Sequence, residues 1–150
     1  MQAQVFKDIP LDQFTSLVEG YKERGWRFAN LCGSTVGDKV ELLCSFALGE
    51  EFENLSVIVG KEDTVFAVSP FFPSAFLNEN ETHDLYGIAF KGMTLDYGGR
   101  FFVTSVPTPM NPGSRQAGEF LAADSGEGPV AAGNAEGFHV SGDAEEAACG

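Results

Sequence analysis

The segment from Glu79 to Asp84 holds the side chains of this sequence that are best suited to chemistry, three carboxylates and one imidazole within six positions. On a helix, Glu79 and His83 share a face because they are four residues apart. They could ligate a metal, yet they supply at most half of a tetrahedral zinc site and do not form His-Glu-x-x-His. One hypothesis is a metal-binding protein or metalloenzyme using Glu79, His83 and Asp84. The other is polar residues that line an interface or pair with Lys91 or Arg100.

Other catalytic arrangements have weak support in this sequence. The run Gly98-Gly99-Arg100 is short and lacks the strand-to-helix context of a phosphate-binding loop. Only two histidines are present, and the serines stand in no recognisable nucleophile setting, so a Ser-His-Asp arrangement is disfavoured.

Length and charge limit the function classes further. A chain of 150 residues predicts one domain, and a net charge of -13 argues against nucleic acid, whose phosphates are neutralised by Lys and Arg. No secretion signal and no apolar run long enough to span a bilayer is visible, so we expect a reducing cytoplasm and membrane contact only through partners. Composition divides the chain into a domain over residues 1–112 and an acidic, glycine- and alanine-rich tail over 113–150, mobile or docked on a partner.

Periodicity predicts an α+β domain. Apolar residues at three- and four-residue spacing predict a helix over residues 10–24, which begins at Pro10 and stops at Gly25. Two alternating runs, 26–32 and 40–48, predict a β-hairpin around a Gly-Asp turn. An acidic loop over 49–53 leads to a β-branched strand over 55–59.

The second half of the domain is predicted to hold a second helix. Residues 65–68 are ambiguous between a short strand and an extended lead-in, and a helix follows over 73–86. Gly87 suits its end, since glycine takes the left-handed conformation at little cost and Ile88 can return to the core. Residues 101–103 could form an edge strand that ends before the prolines. The whole predicts a mostly antiparallel sheet of three to five strands.

Two cysteines fall within the predicted hairpin. Cys32 and Cys44 lie on its even-numbered face together with Trp26, Leu42 and Phe46, which marks both as core residues. A cross-strand disulfide is conceivable, but a reducing compartment favours buried free thiols. Cys149 lies in the tail and has no partner that the sequence suggests.

Phenylalanine is abundant, at 14 of 150 residues, and crowds the segment before the second helix. Adjacent Phe71 and Phe72 must point in different directions, so we expect an exposed apolar patch of Phe71, Phe72 and Phe76. Such a patch, bordered by carboxylates, is typical of a protein interface.

The sequence around the second helix resembles a known family, a peripheral-arm subunit of NADH-quinone oxidoreductase (respiratory complex I). Related subunits occur in membrane-bound energy-converting NiFe hydrogenase and formate hydrogenlyase complexes. The matching positions are Pro73, Ala75, Phe76, Glu79, Glu81, Asp84, Leu85, Gly87, Ile88, Phe90 and Gly92. Asn80 departs from the family's arginine, and residues 93–100 replace an expected His-Pro-Asp-Leu-Arg-Arg run, which points to a hydrogenase-type member.

The resemblance implies a cofactor-free structural and assembly subunit that is not catalytic by itself. It would dock on a hydrogenase-like large subunit and an iron–sulfur small subunit, which would carry the iron–sulfur clusters and, in a hydrogenase, a NiFe centre. It would lie peripherally on the cytoplasmic side of the membrane. The expected interface and motif residues are Phe71, Phe72, Pro73, Ala75, Phe76, Glu79, Glu81, Asp84, Gly87 and Phe90. A metalloprotein or a soluble ligand-binding module are the alternatives.

Overall fold

Helix α1 spans Leu11–Glu23 in the computed structural model, which describes residues 4–114. Its buried side chains, Phe14, Val18 and Tyr21, recur at three- and four-residue spacing, as an amphipathic helix on a core requires. The helix predicted over residues 10–24 is confirmed. No helix within the described range is long and apolar enough to cross a bilayer. Cys149 and nearly all of the predicted tail lie outside the described residues.

Four strands form the main sheet in the order β1-β4-β3-β2. The strands are β1 (Val5–Asp8), β2 (Arg27–Val36), β3 (Lys39–Leu48) and β4 (Glu51–Val59). Strand β1 pairs parallel with β4 and the other pairs are antiparallel, which confirms the hairpin and the mostly antiparallel sheet. The acidic loop expected over 49–53 is wrong beyond residue 50, because Glu51 and Phe52 already pair with β3.

A second sheet has two strands, one before and one after the second helix in the sequence. Strand β5 (Thr64–Phe66) pairs parallel with β6 (Ala89–Lys91), and the chain between them forms a 3-10 turn at Pro73–Ala75 and helix α2 at Phe76–Tyr86. This confirms the helix predicted over 73–86. The edge strand expected over 101–103 is wrong, since none of these residues lies in a strand.

The core lies between the sheet and the helices and is rich in aromatic rings. Tyr21 of α1 stacks on Phe46 of β3 with ring centroids 4.4 Å apart, and Trp26 meets Tyr21 edge-on at 5.1 Å. Phe72 completes this cluster at 5.4 Å from Phe46. Such ring pairs stabilise a core beyond their buried area.

A β-bulge between Phe28 and Asn30 changes the face on which one cysteine lies. After the bulge, Leu31 rather than Cys32 stands opposite Cys44, so the expected core position of Cys32 is wrong while that of Cys44 is confirmed. Both thiols are free, and burial raises the pKa of each.

Strand β1 is held by a small polar network at the sheet edge. Lys7 Nζ lies 2.5 Å from Glu53 Oε2, and the Tyr21 hydroxyl donates to the same oxygen. Burial opposes ionisation of Glu53, but hydrogen bonds from Lys7 and Tyr21 outweigh it and lower the pKa of this carboxyl. The hydrogen bond to Glu53 raises the pKa of Lys7.

Candidate functional site

Helix α2 buries polar side chains where a globular helix normally buries apolar ones. Its buried residues are Glu79, Asn80, Thr82 and Asp84, and Glu79 is 0% exposed. The expected ion pairs with Lys91 or Arg100 are wrong, because the one salt bridge among residues 4–114 joins Lys7 to Glu53. Glu79, Asn80 and Asp84 bind backbone groups instead, which removes part of the cost of burying their side chains.

Glu79 fixes the chain where it leaves β5. Its Oε1 accepts hydrogen bonds from the backbone N–H of Val68 and Ser69 at 2.5 and 2.8 Å. The Ser69 hydroxyl in turn accepts from the Thr94 N–H at 3.0 Å. Glu79 Oε2 is buried without a hydrogen-bond partner.

Asn80 fixes a more distant part of the backbone. Its Nδ2 donates to the Leu95 carbonyl at 2.8 Å, and its Oδ1 accepts from the Tyr97 N–H at 2.9 Å. An amide can both donate and accept, whereas a guanidinium can only donate. Asn80, which replaces the arginine of the family motif, therefore holds residues 95–97 in place.

Asp84 and His83 lie near the end of α2. Asp84 is 6% exposed, and its Oδ2 accepts from the Phe102 N–H at 2.8 Å while its Oδ1 is buried without a partner. His83 Nδ1 lies 2.8 Å from the Ile88 carbonyl oxygen. A carbonyl only accepts, so Nδ1 carries the proton and Nε2 of the neutral ring is an acceptor.

These contacts hold an irregular segment, residues 93–111, which we call the strap. It forms no helix or strand, yet its far end is also fixed, since Met110 N–H donates to the Leu85 carbonyl at 2.8 Å and Thr35 Oγ1 donates to the Met110 carbonyl at 2.6 Å. Its side chains are largely apolar and exposed. The large exposed ones are Leu95, Tyr97, Phe102, Val103 and Met110.

The aromatic residues of the strap contact one another. The ring of Phe101 lies 5.3 Å from that of Tyr97 and 5.0 Å from that of Phe102. The strap is thus an apolar surface on a backbone that polar side chains hold in place. Sequence reasoning missed it, although the density of aromatic residues at 97–102 was a visible signal.

The aromatic patch expected before α2 is wrong for one of its three members. Phe72 is 6% exposed and belongs to the core, whereas Phe71 and Phe76 are half-buried. The remaining motif residues take structural places: Pro73 begins the 3-10 turn, Ala75 is buried at the end of that turn, and Gly87 ends α2 at φ 74°. Phe90 is half-buried in β6, while Glu81 is exposed.

The residues of the metal hypothesis are not brought together as a ligand set. Among residues 4–114, no group of three or more His, Cys, Asp and Glu side chains could hold a metal ion. One open cleft of about 540 Å³ lies beside α1 and β5, and another of about 320 Å³ lies between β2 and α2. The second is lined by Cys32, Glu81 and Met110 among others, which do not form a recognisable catalytic set.

Residues 8–98, more than half of the chain, match the family described as respiratory-chain NADH dehydrogenase, 30 Kd subunit. The chain belongs to this family. The resemblance found at the second helix is thereby confirmed, and the chain is a complex I-like subunit. The match includes α2 and ends inside the strap, at residue 98.

A solved structure supports the fold of this family member. The chain is similar to one in the membrane-bound sulfane sulfur reductase, an archaeal respiratory membrane complex, with a TM-score of 0.66 over 87% of this chain and 85% of that one. Identity is 12%, so this likeness concerns the fold alone. No curated protein sequence matches this chain significantly.

Proposed function

We propose that this chain is a cofactor-free structural and assembly subunit of a membrane-bound respiratory oxidoreductase, either an energy-converting hydrogenase or an NADH dehydrogenase-like complex. It docks on a hydrogenase-like large subunit and on an iron–sulfur small subunit, on the cytoplasmic side of the membrane. Electrons pass through these neighbours rather than through this chain. Family membership supports the respiratory complex, and the strap supports docking.

The strap is the observation that carries the docking proposal. Irregular segments longer than about 12–15 residues are uncommon in compact domains unless they are functional or disordered. This one is held by Asn80 and Asp84 from α2 while its apolar side chains face outward. Aromatic residues on a fixed backbone bind a partner at low entropic cost, and they are enriched at interface cores.

The hydrogenase type is favoured by the departures from the complex I signature. Residues 93–100 lie within the strap and lack the basic run that the resemblance leads one to expect. Because Asn80 binds both a carbonyl and an N–H of this segment, the strap follows a path that an arginine at position 80 could not hold in the same way. Because the strap differs from the corresponding segment of the complex I signature, we expect the partner subunit to have a different docking surface as well.

We predict that the tagged full chain, pulled down from detergent-solubilised native membranes, recovers a large hydrogenase-like subunit and an iron–sulfur subunit. The Tyr97→Ser, Phe102→Ser double variant should reduce this recovery by about tenfold or more, since a central aromatic anchor commonly contributes about 2 kcal/mol. Both side chains are exposed, and the backbone N–H groups that Asn80 and Asp84 bind remain. The measurement is mass spectrometry of the recovered subunits.

Ile58→Ser is the matched control for this experiment. Ile58 is as exposed as the strap residues, but it lies on β4 between the buried Val57 and Val59 and faces away from the core. Recovery should stay at the wild-type level in this variant. Isolation of the wild-type chain as a monomer, with no redox subunit beside it, would contradict the proposed function.

We also predict that the chain purified without chelators holds no stoichiometric metal. Glu79 Oε1 already binds two amides, so His83 and Asp84 offer too few ligand atoms for tight zinc binding. Elemental analysis provides the measurement. One zinc or iron per chain that is lost in His83→Ala would favour the metal-binding alternative instead.

A further inference from the structure

Asp84 uses only half of its carboxylate within this chain. Oδ2 accepts from the Phe102 N–H, while Oδ1 is buried without a hydrogen-bond partner. An ionised carboxylate oxygen that is removed from water without a donor is costly, so such oxygens in native proteins call for an explanation. Oδ1 therefore marks a position where a donor is missing.

A second acceptor faces the same point. A Cβ atom built on Gly99 would lie 3.9 Å from Asp84 Oδ1 and 3.7 Å from His83 Nε2. With Nδ1 donating to the Ile88 carbonyl, Nε2 is the acceptor atom of the neutral ring. Two acceptors thus converge beside Gly99, which is exposed on the strap.

The nearest basic residue in the sequence does not fill this position. Arg100 is exposed and makes no ion pair with any of residues 4–114. A metal ion is a poor fit, because two ligand atoms are half of a tetrahedral set and no third His, Cys, Asp or Glu of the described range joins them. A cationic group with several donors fits both acceptors at once.

We propose that Asp84 and His83 form a receptor site for one arginine side chain of the partner subunit, at the centre of the strap. The guanidinium group carries five donors in a planar fork, keeps its charge, and is less strongly hydrated than an ammonium group. It also stacks on aromatic rings, and the exposed Phe102 ring belongs to the residue whose N–H binds Asp84. This inference rests on the proposed docking function and names its recognition chemistry.

The exposed segment beside the site contains two consecutive glycines, of which Gly99 lies next to Asp84 and His83. Gly98 and Gly99 are both exposed and adopt φ of 61° and 74°. Oδ1 is closed off in the isolated chain, so an incoming side chain must displace this backbone. Glycine makes such a movement inexpensive because it populates both signs of φ.

The site is tested first on the isolated full chain by NMR. The ¹⁵N-labelled protein is titrated with ethylguanidinium chloride, with ethylammonium chloride and sodium chloride at equal ionic strength as separate arms. We expect saturable shifts of the Gly99 and Phe102 amides and of the His83 ring nitrogens, with ethylguanidinium about threefold or more tighter than ethylammonium. Saturable shifts that appear only after Arg100→Gln would make Arg100 the occupant and would overturn the proposal.

Asp84→Asn separates binding from folding. Its amide oxygen can still accept from Phe102, while its NH₂ replaces Oδ1 beside the His83 acceptor. The thermal midpoint should stay equal or rise, since a buried acceptor oxygen without a donor is removed, and the ethylguanidinium shifts should vanish. A lowered midpoint with the shifts retained would show a purely structural carboxylate.

The same variant is then pulled down from native membranes. Loss of one member of a buried charge pair should reduce partner recovery about 30-fold, whereas Glu19→Gln, an exposed carboxylate on α1, should not change it. Equal recovery by wild type and Asp84→Asn would overturn the arginine site and leave the docking function standing. No recovery by wild type would instead overturn the docking function.

Discussion

Gly87→Val is expected to lower the free energy of unfolding by about 3 kcal/mol. Gly87 ends α2 at φ 74°, where a side chain costs about 1–2 kcal/mol and a β-branched one more. A Cβ at this position would also lie 3.0 Å from Thr108 Cγ2 and 3.4 Å from Asn111 Nδ2. The end of the helix and the end of the strap would therefore be strained together. Denaturant unfolding of both proteins measures the difference.

Two comparisons make this prediction specific. Glu79→Gln keeps the shape and the Oε1 acceptor, so it should cost less than about 1 kcal/mol. Gly37 has a similar φ of 61°, but a Cβ added there would meet nothing within 4 Å. Gly87→Ala should therefore lower the free energy of unfolding more than Gly37→Ala does, and the difference measures the contact with the strap. Equal unfolding free energies for Gly87→Val and Glu79→Gln would contradict the role assigned to Gly87.

Local patterns predict the parts of this fold that depend on near neighbours. The periodicity of α1, the alternation of the hairpin and the glycine after α2 are each determined within a few residues, and the structure has all three. Strand β1 escaped prediction because it has four exposed residues and pairs with β4, from Val5 to Glu53. The bulge near Asn30 likewise has no recognisable pattern in the sequence. It places Cys32 on the face of the sheet opposite to the predicted one.

The candidate site shows the same division between local and distant information. The sequence located the polar residues of α2, but it did not reveal that Glu79, Asn80 and Asp84 are buried. Their partners are backbone groups 10 to 18 residues away, and every residue type except proline offers the same N–H. A pattern of side chains therefore cannot identify them.

Function follows from that arrangement rather than from the motif itself. A cluster of carboxylates near a histidine is compatible with metal binding, docking or loop support. The hydrogen bonds assign Glu79, Asn80 and Asp84 to loop support, and Asp84 Oδ1 is left without a donor beside the exposed Gly99. The acidic motif thus supports the neighbouring loops along the whole helix, and the proposed arginine site would add a second role at its end.

Glu79→Leu is expected to be the most destabilising single change in α2, at about 3–5 kcal/mol. Leucine fills a similar volume and suits a helix, so the loss arises from the two N–H groups of Val68 and Ser69 that would remain buried without an acceptor. Each such unpaired donor costs about 1–3 kcal/mol. Denaturant unfolding measures the loss, with Glu79→Gln expected to retain most of the stability.

Glu19→Leu provides the control for the substitution itself, because Glu19 is exposed on α1 and should change stability by less than about 0.5 kcal/mol. If Glu79→Leu were as stable as wild type, the two amides would have other acceptors and Glu79 would not be the anchor of this loop. If the predicted loss is found, hydrogen exchange should show the Ser69 and Thr94 amides losing protection together. Ser69 accepts from Thr94, so the start of the strap depends on the same carboxylate as the end of β5.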